Sequence, residues 1–223
     1  MSLNLLDIYN EVAGQAWSMF DGEIESQDEF ESSLKSSIQK ALSDIWCSYP
    51  FPFTLREAEI KTVAGQKAYD NVNGNIIKKK VDGDKIYMVR LKGGTYLEIV
   101  EDYGVLDDKT GTPSHFYIKN DRICLYPIPD DEYTIEIDYQ TLQMGKNKKD
   151  EPIFELSEDT DIVDIPEKYE KVFKNALITL SMVYGIADDT DENYSSYKRQ
   201  YQRAYKILLK FTKGINKENR ITW

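Results

Sequence analysis

The sequence predicts an α+β fold: a helical bundle of about four helices, an inserted antiparallel β-meander module and an extended C-terminal tail. Three observations predict it. Apolar residues recur at helical spacing through residues 1–50 and again from residue 166. Between residues 54 and 140 they alternate instead, the pattern of strands with one buried face. The last residues, 214–223, are basic and end on the apolar pair Ile221 and Trp223. The expected division is 1–50 N-terminal helices, 51–140 β-rich module, 141–165 long loop or assembly arm, 166–213 C-terminal helices completing the bundle, and 214–223 extended basic tail.

Residues 3–20 predict the first helix, with Leu3, Leu6, Ile8, Val12, Ala16 and Met19 on its buried side and Gly22 as punctuation. Ser26 and Glu29 form a capping box, the hydroxyl accepting from an orphan amide while the carboxylate reaches back. Phe30, Leu34, Ile38, Ala41, Leu42, Ile45 and Trp46 then make a core-facing stripe. That helix ends near Tyr49, because Pro50 and Pro52 lack amide donors.

Beyond residue 54 the strand signals begin. Val63-Ala64-Gly65-Gln66 makes a turn before Tyr69. Residues 86–91 and 96–100 flank Gly93-Gly94, a hairpin signal, and residues 116–118 and 122–126 flank Asn120-Asp121, a second one. In residues 133–139 Tyr133, Ile135, Ile137 and Tyr139 share one face, with Thr134, Glu136 and Asp138 on the other. Residues 141–165 are polar and read as a linker or an assembly arm. Pro166 suits the first turn of a helix whose stripe is Val172, Phe173, Ala176, Leu177, Leu180 and Val183, with Gly185 near its end. Acidic residues at 188–192 favour the start of the last helix through its macrodipole. Tyr194, Tyr197, Tyr201, Tyr205, Leu208 and Phe211 line one side of that helix, and Gly214 is its expected stop.

Composition narrows the function classes. A chain of 223 residues with 41% hydrophobic and 30% charged residues can bury a sizeable core, which excludes wholesale disorder. No uncharged apolar run is long enough to span a bilayer, and the N-terminus lacks the basic region of a signal peptide. Two distant cysteines, Cys47 and Cys124, fit a reduced, intracellular protein. The net charge of −11 opposes nucleic-acid wrapping. That charge is uneven. Residues 1–50 carry nine acidic and two basic groups, whereas residues 198–223 carry eight basic groups and one acidic. Such asymmetry points to stacking between copies or an acidic partner for the tail, with a solvated helix face as the plain alternative.

Signals for chemistry are sparse. His115 is the only histidine, no paired Cys or His spacing accompanies it, and no nucleophile elbow stands near it, so a structural or solvent role is expected. Glycine-rich phosphate loops are absent, and no cofactor is expected. A calcium loop at Asp189, Asp191 and Asn193 fails because Tyr194 stands where the turn needs glycine and Gln200 where it needs glutamate. Asp107-Asp108 and Asp130-Asp131 are pairs that 39 acidic residues produce without function. No catalytic, cofactor-binding or metal-binding residue is assigned. Sixteen tyrosines match protein–protein assembly best, since tyrosine buries area while keeping a polar tip.

Three segments carry a family resemblance. The first is Phe51-Pro52-Phe53 running into Thr62-Val63-Ala64-Gly65-Gln66 and Tyr69. The second is Gly111-Thr112-Pro113, Tyr117, Asn120-Asp121, Ile123, Leu125-Tyr126-Pro127, Pro129 and Tyr133. The third is Ile165-Pro166-Glu167-Lys168-Tyr169, with Asp188-Asp189 before the last helix. In this order they resemble the head-to-tail connector, or adaptor, ring proteins of tailed bacteriophages, over about residues 50–205. The long 141–165 loop departs from a typical member.

The resemblance implies a structural, non-enzymatic virion protein of the neck, assembled in the host cytoplasm and without a membrane anchor. It implies a homo-oligomeric ring of about twelve copies, with the portal protein above and a tail tube or nozzle protein below. Genomic DNA would pass through the channel during ejection without specific binding, past an acidic body. The portal-binding role falls on the C-terminal segment, with Lys217, Arg220, Ile221 and Trp223 as contacts. The residues themselves leave open another virion ring or tail-completion protein, and a carboxylate-dependent hydrolase of cell-wall glycans.

Overall fold

The computed structural model describes residues 3–17, 27–70, 88–102, 104, 106–120, 122–185 and 192–218. The chain forms two compact units, one from Met1–Phe53 with Gln143–Trp223 and the other from Thr54–Leu142. Helices dominate the first and strands the second, so the class is α+β.

The helical unit begins with α1 (Leu5–Trp17), where the Asn4 side chain accepts the Asp7 amide at 2.7 Å and caps the first turn. Leu5, Ile8, Val12 and Ala16 face inward, whereas Leu6 is 43% exposed. The expected stripe therefore held Leu6 in a place that belongs to Leu5, one residue and about 100° around the helix. Met19, Gly22 and Ser26 lie outside the described residues. Helix α2 (Gln27–Ser48) buries Leu34, Ile38, Ala41, Leu42, Ile45 and Trp46, with Phe30 half-buried. Helix α3 (Glu167–Gly185) packs against α1, α2 and α4 (Glu192–Glu218). Its second half is buried on every side, and its two buried hydroxyls are satisfied along the helix itself. Thr179 donates to the Asn175 carbonyl at 2.8 Å and Ser181 to the Leu177 carbonyl at 2.8 Å.

The segment between α2 and the strands supplies the centre of this unit. Phe51 and Phe53 stack with centroids 5.0 Å apart and planes 5° from parallel. Around them lie Trp46 of α2, Tyr169 and Phe173 of α3, and Tyr205 of α4, each ring within 6.4 Å of one of the pair.

Residues 141–165 are more ordered than a loop or arm. They contain β8 (Gly145–Lys146), β9 (Pro152–Ile153) and β10 (Ile162–Val163), an antiparallel sheet in the order β10-β8-β9. The Asp161 carboxylate, 2% exposed, takes the Ser157 and Glu158 amides at 2.8 Å each, and its backbone carbonyl takes the Leu5 amide at 2.9 Å. A polar stretch folds here because side chains meet its backbone groups.

The strand unit holds two sheets. In the first, β1 (Leu55–Lys61), β7 (Thr134–Gln140) and β3 (Val89–Leu91) are antiparallel in the order β1-β7-β3. In the second, β2 (Ala68–Asp70), β6 (Arg122–Tyr126), β5 (His115–Lys119) and β4 (Glu98–Ile99) follow the order β2-β6-β5-β4, with β4 parallel to β5. Tyr69, Val89, Leu97, Phe116, Ile123, Leu125, Ile135, Ile137 and Tyr139 form the unit's core.

This arrangement corrects the meander. Among the named strands of the described strand unit, β5 and β6 alone pair as sequential neighbours in an antiparallel hairpin, turning through Asn120 at φ 51°. The Gly93-Gly94 turn exists, with the Gly94 amide on the Leu91 carbonyl at 2.8 Å, but pairing continues only through the Arg90–Tyr96 bridge before β4 joins the second sheet. The last strand, β7, sits between the first and the third, because Ile135 and Ile137 bury most completely there. Residues 86 and 87 lie outside the described residues.

Helix α4 runs through Gly214 to Glu218, past the stop expected at Gly214 and into the segment expected to be extended. One glycine lowers helix stability by about 1 kcal/mol, too little to end so long a helix.

Two glycines give opposite expectations. A Cβ on Gly145 would lie 2.4 Å from Leu156 Cδ2 and 2.6 Å from the Ile162 carbonyl oxygen, so Gly145→Ala should destabilise by about 1–3 kcal/mol. A Cβ on Gly14 of α1 meets nothing within 4 Å, so Gly14→Ala should stabilise by about 0.5–1 kcal/mol. Urea midpoints measure both, and equal signs would contradict the packing described.

Candidate functional site

The resemblance segments are largely scaffold. In the first, Gly65 at φ 79° makes the turn that Val63 and Gln66 close, the Gln66 amide reaching the Val63 carbonyl at 3.0 Å. The Tyr69 hydroxyl plugs that turn, accepting from the Val63 amide at 3.1 Å and donating to the Gln66 carbonyl at 2.9 Å. Buried Thr62 ties the first segment to the second: its hydroxyl accepts the Tyr133 amide at 2.7 Å and donates to the Asp131 carbonyl at 3.0 Å. The Gly65 amide meets the Pro129 carbonyl at 2.8 Å.

The candidate reactive groups are also occupied. His115 Nδ1 lies 2.8 Å from the Ser114 hydroxyl and Nε2 lies 3.8 Å from Glu98, with the ring edge-on to Tyr126. Asp107 accepts from the Tyr126 hydroxyl at 2.7 Å, Asp108 pairs with Lys67 at 3.1 Å, and Asp130 accepts from the Tyr133 hydroxyl at 2.6 Å. Burial pushes the Cys124 thiol above its ordinary range. Among the described residues no group of three or more His, Cys, Asp or Glu could hold a metal ion.

What stands out instead is two charged surfaces. On α4, Ala204, Leu208 and Thr212 are buried and Tyr194, Tyr197, Tyr201, Tyr205 and Leu209 pack on the core. Lys198, Arg199, Arg203, Lys206, Lys210 and Lys213 are all exposed. Lys198 lies over the Tyr194 ring at 5.5 Å and Lys213 over the Tyr49 ring at 5.4 Å, which spreads the cationic surface across an aromatic one.

The second surface is the outer face of the β1-β7-β3 sheet. Register places Glu57 directly opposite Asp138 and Glu59 directly opposite Glu136. Arg90 Nε reaches Glu136 at 2.5 Å and Lys92 reaches Glu59 at 2.6 Å. Together with Ala58, these four carboxylates and Arg90 line a cavity of about 180 Å³. Burial first, and the Glu57 charge second, push the Asp138 carboxyl above its ordinary range, against the pull of Arg90.

The excess of basic groups in residues 198–223 marked the first surface in the sequence, while the acidic sheet face went unmarked, although the alternation of Glu57, Ala58, Glu59 and Ile60 carried its signal. Of the expected portal contacts, Lys217 falls within the helical backbone of α4, while Arg220, Ile221 and Trp223 lie outside the described residues.

The family model described as SU10 adaptor protein matches residues 4–220. The chain belongs to that family. The SU10 adaptors are a phage head-to-tail adaptor family, so this adaptor is a structural protein of the virion neck that works with portal and tail proteins. The match runs through α1, α2 and residues 141–165, which the resemblance had set aside. No curated protein matches the chain. Among the described residues no helix of the adaptor is long and apolar enough to cross a membrane.

Two tyrosines of the helical unit are held protonated beyond their ordinary range. Burial and the Asp44 carboxylate, which accepts its hydroxyl hydrogen bond, push Tyr184 from 10.0 to about 12, and burial pushes Tyr201 higher still. The unfolded chain therefore ionises first. The stability these two tyrosines contribute is fully present below about pH 10 and is lost as pH rises from 10 through the folded values. Tyr184→Phe should be less stable than wild type at about pH 8 yet lose less stability between about pH 10 and 12. Denaturant titrations at each pH measure this, and parallel wild-type and variant curves would contradict it.

Proposed function

We propose that this adaptor forms a closed ring of about twelve copies between portal and tail, with the genome passing through the ring's channel. Family membership across residues 4–220 carries this reading. The net charge of −11 supports passage of DNA without retention, since an acidic body repels the phosphate backbone. A glycan-hydrolase reading has no comparable support, because Asp107, Asp108 and Asp130 serve as hydrogen-bond and ion-pair partners within the fold.

The portal contacts in this reading are Lys217, Arg220, Ile221 and Trp223 at the end of α4 and beyond. Trp and Arg are the residue types that most often anchor interfaces, and a cationic segment suits an acidic groove. The tail component docks on the opposite side of the ring.

Co-migration of the full chain with the portal protein of the same phage tests the reading. The wild-type chain should form a complex of ring stoichiometry by native mass spectrometry, and a stable monomer that ignores portal sinks it. Removing residues 219–223 should leave the circular dichroism spectrum unchanged and weaken portal binding by about tenfold or more. Undiminished binding would refute the tail assignment while leaving the ring intact.

A further inference from the structure

The two charged surfaces are opposite in sign, and each is short of counter-charge among the described residues. Arg199, Arg203, Lys206 and Lys210 form one row along α4, all exposed, and none of them makes an ion pair among the described residues. No acidic residue lies between 193 and 213 to temper the row. Ile207, 52% exposed, stands beside it, and Phe211, 39% exposed, stands at the edge of the same side, with its ring also edge-on to Tyr169 of α3. A phosphate backbone would use the cations alone. An apolar pair set among arginines is the composition of a protein interface.

The sheet face has the matching deficits. Arg90 and Lys92 answer Glu136 and Glu59, but the Glu57–Asp138 rung keeps no ion-pair partner among the described residues. Like charges held directly opposite on neighbouring strands repel, and here the pull of Arg90, hydrogen-bonded to Glu136, leaves the Asp138 carboxyl still raised, so a further cation at this rung would be stabilising. At the rim of the same face Tyr96, bridged to Arg90, is 47% exposed. Spacings agree as well. From Arg203 to Phe211 the helix advances about 12 Å. From Asp138 to Tyr96, one side-chain repeat along the sheet and two strands across, is also about 12 Å.

We propose that α4 of one copy docks across the outer face of the β1-β7-β3 sheet of the next. Arg199 and Arg203 reach the Glu57–Asp138 rung, and Ile207 and Phe211 pack against Tyr96. Unlike faces joined in this way make a heterologous contact, the kind that closes into a ring. The assignment rests on the ring reading above and adds to it the surfaces that join neighbouring copies.

Charge reversal tests it with the full chain and the portal protein of the same phage, counting rings by particle imaging and checking each fold by circular dichroism. Arg199→Glu with Arg203→Glu should lower ring yield by about tenfold or more, and Glu57→Lys with Asp138→Lys should do the same. A one-to-one mixture of the two variants should restore rings, because each reversed face then meets the other variant's reversed face and the untouched faces still match. Wild-type-like rings from both variants, or a mixture that stays unassembled, overturn the interface. So does a helix variant that keeps its rings but loses DNA or portal binding. Wild-type chain that forms no ring on portal overturns the ring reading and this interface with it, a result separate from rings that ignore the reversals.

Discussion

The parallel stack of Phe51 on Phe53 is the contact about which the helical unit is arranged. Two prolines, Pro50 and Pro52, free this segment from any ladder, so its side chains can enter the space between α2, α3 and α4. Phe53 meets Tyr169 and Phe173 of α3 as well as Trp46 of α2, while Phe51 meets Tyr205 of α4. Edge-on and stacked ring pairs add to the area they bury, which makes the orientation of each helix specific. The consequence for function lies on α4. Once Tyr205, Ala204 and Leu208 are turned inward, helical geometry sets the row from Arg199 to Lys210 on the outside.

A similar constraint acts in the strand unit. Ile135, Ile137 and Tyr139 of β7 and the half-buried Ala58 and Ile60 of β1 must face the core, and a slip of one residue would turn carboxylates into it. The register that avoids this puts Glu57 against Asp138 and Glu59 against Glu136. The repulsion on the outer face is thus the direct result of correct burial on the inner face. Arg90 and Lys92 bond the Glu59–Glu136 rung, and at the Glu57–Asp138 rung the pull of Arg90 does not offset burial and the Glu57 charge.

Much of this was legible in the residues, and the gaps have physical causes. Helices α2 and α3 were clear because their stripes are long and local, as in Leu34 to Trp46 and Phe173 to Val183. Sheet order was not, since nothing local distinguishes β7 as a central strand from β7 as the last strand of a meander; only its pairing with residues far back in the chain decides it. The polar run of 141–165 concealed β8, β9 and β10 because its order comes from side chains such as Asp161 meeting backbone amides, not from an apolar period. Gly214 does not end α4, because the cost of one glycine is small beside the length of the helix. The charged surfaces were present as letters but needed the fold to show which residues share a face.

A single-particle reconstruction of the adaptor bound to portal tests this account most directly. It should show a closed array of copies, with the α4 row of Arg199, Arg203, Lys206 and Lys210 buried against the acidic sheet of the adjacent copy. Copies attached to portal one by one, with α4 open to solvent and no contact between neighbours, would contradict it.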